Sequence, residues 1–262
     1  MRLEDDQPII WAGVFDSFSD ATCSAQGDGF RSATYLARSR AVTQECIDAV
    51  DAGVPIPAFH VQRATLLNPL VATAVASRGG ASVLDFGGGF AIGYLSCRSH
   101  VAAREGGLQY LVLDFPEVCE LARPLFSNDE MIQFASEASA AEGRRFDIVY
   151  SASALQYVED WKAATAMLAD YEAQYLLLAD VFAGDIEPFA TLQVYHESMI
   201  PHWFLNMEEV ISHLHKCGYE ILMKEVSRGV RRGIVDRLPM QNFPQERQVP
   251  YAYNLLFRRA AQ

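Results

Sequence analysis

The chain has few of the residues that build disulfide frames or metal centres. Its five cysteines, at positions 23, 46, 97, 119 and 217, are scattered and form no C-x-x-C pair. That excludes a disulfide scaffold or a zinc ribbon and points to reduced thiols in a cytoplasmic protein. Histidine is scarce too, six in all, with no H-x-x-x-H spacing, so no metal site is expected. Basic residues are outnumbered, 21 Lys+Arg against 33 Asp+Glu, a net charge of −12 that opposes binding to a phosphate backbone and argues against nucleic acid as a partner. No apolar run approaches the roughly 18 residues of a membrane span. The opening stretch from Met1 to Pro8 is acidic, unlike a signal peptide, so neither a membrane segment nor export is expected.

Apolar residues are plentiful, half of the 262, enough for one large core. Residues 1–79 read as a helical N-terminal extension or lid: Trp11-Ala12-Gly13-Val14-Phe15, a helix from Arg31 to Asp51, a Gly53-to-Pro57 break, and helical spacing from Val61 to Ser77. From residue 80 to 262 short apolar runs alternate with helix-like stretches, the pattern of parallel βαβ units in an α/β core. Strands are expected at Ser82–Phe86, Gln109–Asp114, Met131–Ala135, Phe146–Ser151, Tyr175–Val181, Tyr219–Val226 and Ala252–Phe257, with a helix from Met207 to Cys217. The connection from Ser227 to Tyr251 is long enough to be a functional lid. Its Arg228, Arg231, Arg232 and Arg237 read as a solvated charged loop in preference to an anion site.

The densest signal is Val83-Leu84-Asp85-Phe86-Gly87-Gly88-Gly89-Phe90-Ala91, a strand that ends in a carboxylate and runs into a glycine turn. Gly87 and Gly89 fit the first two positions of the dinucleotide fingerprint, but Ile92 occupies the third, which disfavours a nicotinamide-linked dehydrogenase. Asp85 would repel a pyrophosphate and suits a ligand carrying an ammonium and a sulfonium, as S-adenosylmethionine does. Asp114 ends the next strand, where an acid can accept hydrogen bonds from both ribose hydroxyls; alone it would read as a helix N-cap before Pro116. The run Ile148-Val149-Tyr150-Ser151-Ala152-Ser153 carries Ser151, Ala152 and Ser153 to the carboxyl end of a buried strand, with Gln156 and Tyr157 just beyond.

These elements resemble motif I, the ribose-binding acid and the fourth-strand motif of class I S-adenosylmethionine-dependent methyltransferases. More narrowly, Trp11-x-Gly13-x-Phe15, Leu84-Asp85-Phe86-Gly87-Gly88, Ser153-Ala154-Leu155-Gln156-Tyr157 and Ile200-Pro201-His202-Trp203-Phe204 are similar to a largely uncharacterised bacterial methyltransferase family, from Trp11 to Arg258. The resemblance implies a Rossmann-like, doubly wound, mostly parallel seven-stranded sheet with an antiparallel last strand. It implies S-adenosylmethionine as cofactor and a sugar or small-metabolite acceptor in specialised or surface-glycan biosynthesis. Asp85, Phe86, Gly87, Gly88 and Gly89 would then shape the methionine side of the pocket, Asp114 and Phe115 the ribose side, and Ser136 the approach to adenine. Ala91 stands where a third glycine is common.

Methyl transfer needs positioning above all, and a base only when the acceptor is a hydroxyl. Candidate bases are His196 and His202, in the segment after the fifth strand, with Glu197 as an orienting group. Gln156, Tyr157, Gln193, Tyr195 and Trp203 are the expected substrate contacts. A second reading keeps the cofactor pocket but no catalysis, in a binding partner of a biosynthetic complex. Homo-oligomerisation stays open.

Overall fold

Strand β1 (Trp11–Phe15) pairs antiparallel with β8 (Phe189–Tyr195), so the N-terminal segment expected to be helical also contributes to a sheet. The computed structural model describes residues 9–100, 107–227 and 237–260. The main sheet contains β2 (Ala81–Phe86), β3 (Leu108–Leu113), β4 (Ile132–Ala135), β5 (Ile148–Ala152), β6 (Tyr175–Val181), β10 (Tyr219–Val226) and β11 (Tyr253–Arg259). Its order is β10-β11-β6-β5-β2-β3-β4, and β11 alone runs antiparallel to its neighbours. All seven expected strands are present within about two residues of their expected ends, and the antiparallel last strand is where the resemblance places it.

Helices cover both faces. On one side lie α2 (Ala33–Asp51), α4 (Leu67–Arg78), α5 (Ile92–His100) and α6 (Pro116–Ala122); α7 (Trp161–Ala169) and α8 (Met207–Lys216) lie on the other. Successive residues of β2 feed the two cores in turn, Val83 into the first and Leu84 into the second, which is why the strand reads as a continuous apolar run. Burying each such side chain is worth about 1.5–3 kcal/mol. Ser32 caps α2 by accepting from the Tyr35 amide at 3.3 Å, which fixes Tyr35 in the first turn of that helix.

The helix expected from Val61 to Ser77 is broken into α3 (Ala58–Val61), a 3-10 turn (Gln62–Ala64) and α4. Pro69 lacks an amide hydrogen and restricts Asn68, so helix can restart there but not run through unchanged. The break turns Arg63 toward the end of β6, where its Nε donates to Asp180 at 3.1 Å.

A second sheet, in the order β1-β8-β9-β7, is built largely from the segment between β6 and α8, with β7 (Ala183–Gly184) and β9 (Ser198–Asn206) completing it. The sequence hides β9 because Pro201 sits within it, opposite Leu192. Helix α1 (Phe18–Cys23) packs on one face of this hairpin through Phe18 and Ala21. On the other face Trp11, Phe182, Phe189 and Phe204 form a core with Leu238, Met240, Phe243 and Val249. The described part of the connection expected to be a lid is therefore packed structure. Arg228, Arg231 and Arg232 lie outside the described residues, and Arg237 is exposed.

Candidate functional site

Strand β2 is flanked by β3 on one side and β5 on the other, so the chain crosses the sheet in opposite directions on either side of it. Ligands of open α/β sheets bind at the carboxyl ends of the strands at such a switch point. The glycine turn leaves β2 there. The Gly87 amide donates to the Leu113 carbonyl at 2.8 Å, and the turn leads straight into α5.

Two glycines of the turn have no room for a side chain. A Cβ on Gly87, whose φ is +69°, would lie 2.4 Å from the Ala154 Cβ; one on Gly88 would lie 2.5 Å from the Asp85 carboxyl. Gly89 is different, since its φ of +57° needs glycine but the space beside it is open apart from the Tyr35 hydroxyl, 3.8 Å from a Cβ position. Ala91 adopts φ +62°, a left-handed conformation usual for glycine, at the place where a third glycine is common.

Asp85 is 2% exposed. The Tyr110 hydroxyl donates to its Oδ2 at 2.6 Å, while Oδ1 is buried with no hydrogen-bond partner among the described residues. Burial drives the carboxyl pKa up to about 7; the Tyr110 hydrogen bond opposes the rise and the nearby Asp114 charge adds to it. Asp114 accepts from the Gly89 amide and from the Phe115 amide, each at 2.7 Å. Burial raises its pKa as well, against those two hydrogen bonds. Each oxygen keeps a lone pair, so the carboxylate is aimed and still able to accept.

At the end of β5 the Ser151 hydroxyl is buried without a partner among the described residues, and the same holds for Gln156 Nε2. An unmatched buried polar group costs about 1–3 kcal/mol, so Asp85 Oδ1, Ser151 Oγ and Gln156 Nε2 call for a polar ligand or water. Ser153, at φ +54°, donates to Asp180, as does Ser227 at 3.2 Å.

Two side chains from the N-terminal segment close over this floor, and sequence reasoning missed both. The Phe30 ring lies 5.3 Å from Tyr35, 4.7 Å from Tyr157 and 5.5 Å from Tyr195, between centroids. The Tyr157 hydroxyl donates to Gln193 Oε1 across to β8. Burial pushes the Tyr35 hydroxyl pKa up to about 12. Asp180 was missed as well, although an acid ending the apolar run Leu176-Leu177-Leu178-Ala179 is the signal that singled out Asp114.

The remaining expected residues scatter. Phe115 is half-exposed beside Asp114, with the Arg31 guanidinium 5.8 Å above its ring, whereas Phe86 packs against the second core. Ala152 is partly buried at the end of β5, and Ser136 is exposed just past β4. Trp203 stacks on Phe18 and donates to the Glu159 carbonyl at 3.2 Å. His202, one residue earlier on β9, is fully buried between Trp11, Tyr157, Phe182 and Phe204, with centroids 4.9–5.7 Å away. His196 is exposed at the hairpin tip at φ +52°, its ring 4.7 Å from Tyr195. Among the described residues no cluster of three His, Cys, Asp or Glu is placed to hold a metal.

No known family profile matches the chain, and no curated protein matches it in sequence. Solved structures do match in three dimensions. A proposed S-adenosylmethionine-dependent methyltransferase from Listeria monocytogenes is 13% identical, with 78% of this chain and 99% of that one covered at a TM-score of 0.53. This chain has the class I methyltransferase fold. The complex of a Haloferax volcanii methyltransferase activator with a proposed methyltransferase gives 14% identity, coverage of 85% and 95%, and a TM-score of 0.50. The Burkholderia thailandensis 1,6-didemethyltoxoflavin-N1-methyltransferase, solved with 1,6-didemethyltoxoflavin and S-adenosylhomocysteine, gives 16%, 84% and 88%, and 0.49.

Proposed function

We propose that the protein is an S-adenosylmethionine-dependent methyltransferase acting on an oxygen or nitrogen of a small-molecule acceptor. One observation carries the reading. A buried carboxyl with an oxygen unmatched among the described residues, Asp85, and an aimed carboxylate, Asp114, stand on either side of a glycine turn that is open at Gly89. That donor set fits the cofactor: Asp85 for its cationic methionine end, Asp114 for its ribose diol, the open face of Phe115 and neighbouring Ser136 for the adenine, and Ser151 for a remaining polar edge. Ala154 and Asp85 fill the space beside Gly87 and Gly88, and the turn is open at Gly89, where a ligand can lie close to the backbone.

When bound, the cofactor supplies an electrophilic methyl on a sulfonium; transfer to an acceptor hydroxyl breaks the sulfur–carbon bond, forms an oxygen–carbon bond and frees one proton. The chain's own work is to place the acceptor and keep water out. Tyr157 and Gln193, locked to each other, and Tyr195 form the acceptor side, with Gln156 Nε2 as a buried donor. Of the two candidate bases, His196 stands in solvent beside Tyr195 and can pass a proton on; His202, sealed in aromatic rings, orients Tyr157 instead. Trp203 supports the hairpin from its other face.

The reading extends to a biosynthetic enzyme of the cytoplasm; among the described residues no helix is long and apolar enough to cross a membrane. Calorimetric titration with S-adenosylhomocysteine tests the core of it. Binding at micromolar concentration with a raised melting temperature is expected, since a ligand selective for the native state stabilises it by mass action. A folded protein that shows neither at about 1 mM ligand refutes the reading.

A further inference from the structure

Arg63 is a cation placed at the mouth of this cleft in a chain of net charge −12. Both ends of the residue are pinned. Its carbonyl accepts from the Tyr150 hydroxyl at 3.0 Å, and its Nε donates to Asp180 Oδ2 at 3.1 Å. Asp180 is itself buried and held at φ +58° at the end of β6, with Ser153, Ser227 and the Asn254 side chain around it. A residue kept in a left-handed conformation costs on the order of 1 kcal/mol, which only a surrounding network can hold in place. The result is a guanidinium fixed above the carboxyl ends of β5 and β6. Nε makes its one side-chain hydrogen bond among the described residues, so Nη1 and Nη2 have no protein acceptor there, and the side chain is 49% exposed.

Aromatic rings line the same cleft. Phe30 touches Tyr35, Tyr157 and Tyr195, and the Tyr35 and Tyr195 rings lie 6.1 Å apart, so the four form one aromatic wall. Arg63 sits on Asp180, which accepts from Ser153, four residues before Tyr157 of the wall; the Arg63 charge also acts on the hydroxyls of Tyr35, Tyr157 and Tyr195. Tyr35 also abuts Gly89, joining the wall to the cofactor turn.

An aromatic wall gains most from a flat apolar ring, and a guanidinium with two open donors matches a carboxylate in paired geometry. A neutral sugar would meet the wall but leave the fork unmatched. We propose that the acceptor is an aromatic carboxylate, its ring against Phe30, Tyr35 and Tyr195 and its anionic group on Arg63. This rests on the methyltransferase reading and narrows its substrate class from the sugar or small metabolite that the resemblance implies.

The test titrates p-hydroxybenzoate, p-hydroxybenzamide and methyl glucoside into wild type and Arg63→Gln, each saturated with S-adenosylhomocysteine. The benzoate should bind wild type about tenfold or more tighter than the isosteric amide, and methyl glucoside more weakly still. In Arg63→Gln the two aromatic probes should bind within about twofold of each other, with the affinity for S-adenosylhomocysteine unchanged. If the single variant fails to fold because Asp180 loses its partner, Arg63→Gln with Asp180→Asn carries the same comparison. Three results overturn the inference: no benzoate binding to the loaded protein, methyl glucoside binding as tightly as benzoate, or a preference for benzoate that survives loss of Arg63. Failure of S-adenosylhomocysteine to bind at the first step instead removes the methyltransferase reading, and the acceptor assignment with it.

Discussion

Replacing Asp85 by asparagine should make the protein more stable and worse at holding its cofactor. The folded carboxyl has its pKa raised from 3.8 to about 7, chiefly because it is buried; Tyr110 is its one hydrogen-bond partner among the described residues. A group whose folded pKa lies above its unfolded value contributes stability that is complete below the unfolded pKa and is lost as pH rises through the folded one. That rise corresponds to a ceiling of roughly 4 kcal/mol at alkaline pH, reduced by any water that the carboxylate draws in. Asparagine has the shape of the protonated acid, accepts from Tyr110 through its carbonyl oxygen and does not titrate. The stability difference between variant and wild type should therefore grow by about 2–3 kcal/mol between about pH 5 and about pH 8, in favour of the variant. At about pH 8 the melting temperature should rise by roughly 5 °C or more for a chain of this size. Urea unfolding followed by circular dichroism at both pH values measures the difference, and titration with S-adenosylhomocysteine measures the cost. A pH-independent difference, or a variant less stable than wild type at alkaline pH, refutes the reasoning.

Asp114→Ala removes the two hydrogen bonds proposed for the ribose and frees the Gly89 amide; at about 1.5–3 kcal/mol for each charged bond, calorimetry should find S-adenosylhomocysteine bound at least roughly 100-fold more weakly. The glycines should rank by the room beside them. Gly87→Ala drives a methyl into Ala154 and should cost more than about 2 kcal/mol in urea unfolding, while Gly89→Ala pays for its positive φ alone, about 1 kcal/mol. His202→Ala opens a cavity among four aromatic rings and should cost about 2–4 kcal/mol, whereas His196→Gly relieves a left-handed conformation and should leave the melting temperature unchanged or slightly higher while lowering turnover. Equal losses of stability in those two histidine variants would contradict the burial that separates them.

Much of the cleft at the ends of β2 and β3 was legible because strand ends and glycine turns are local events. Asp85 and Asp114 stand where apolar runs stop, and the turn between β2 and α5 needs backbone conformations that few residues other than glycine accept. The proposed acceptor side was not legible, because its walls come from segments far apart in sequence. Phe30 and Tyr35 meet Tyr157 and Tyr195 only after the N-terminal segment folds across the cleft and Gly29 donates to Ser198 on the hairpin at 3.1 Å. Strand β9 was concealed by Pro201, and the alternation along it separates His202 from Trp203, two neighbours that sequence reading had sent to the same site.

What the sequence determined by itself is the α/β core and the pair of carboxyls at its switch point, since hydrophobic periodicity and turn chemistry act over a few residues and leave a readable trace. The tertiary structure decided which polar atoms stay unmatched in the interior, which histidine reaches solvent, and that Arg63, drawn by Asp180, stands beside an aromatic wall. Those outcomes depend on burial and on contacts between distant segments, and neither is a property of any short stretch of chain.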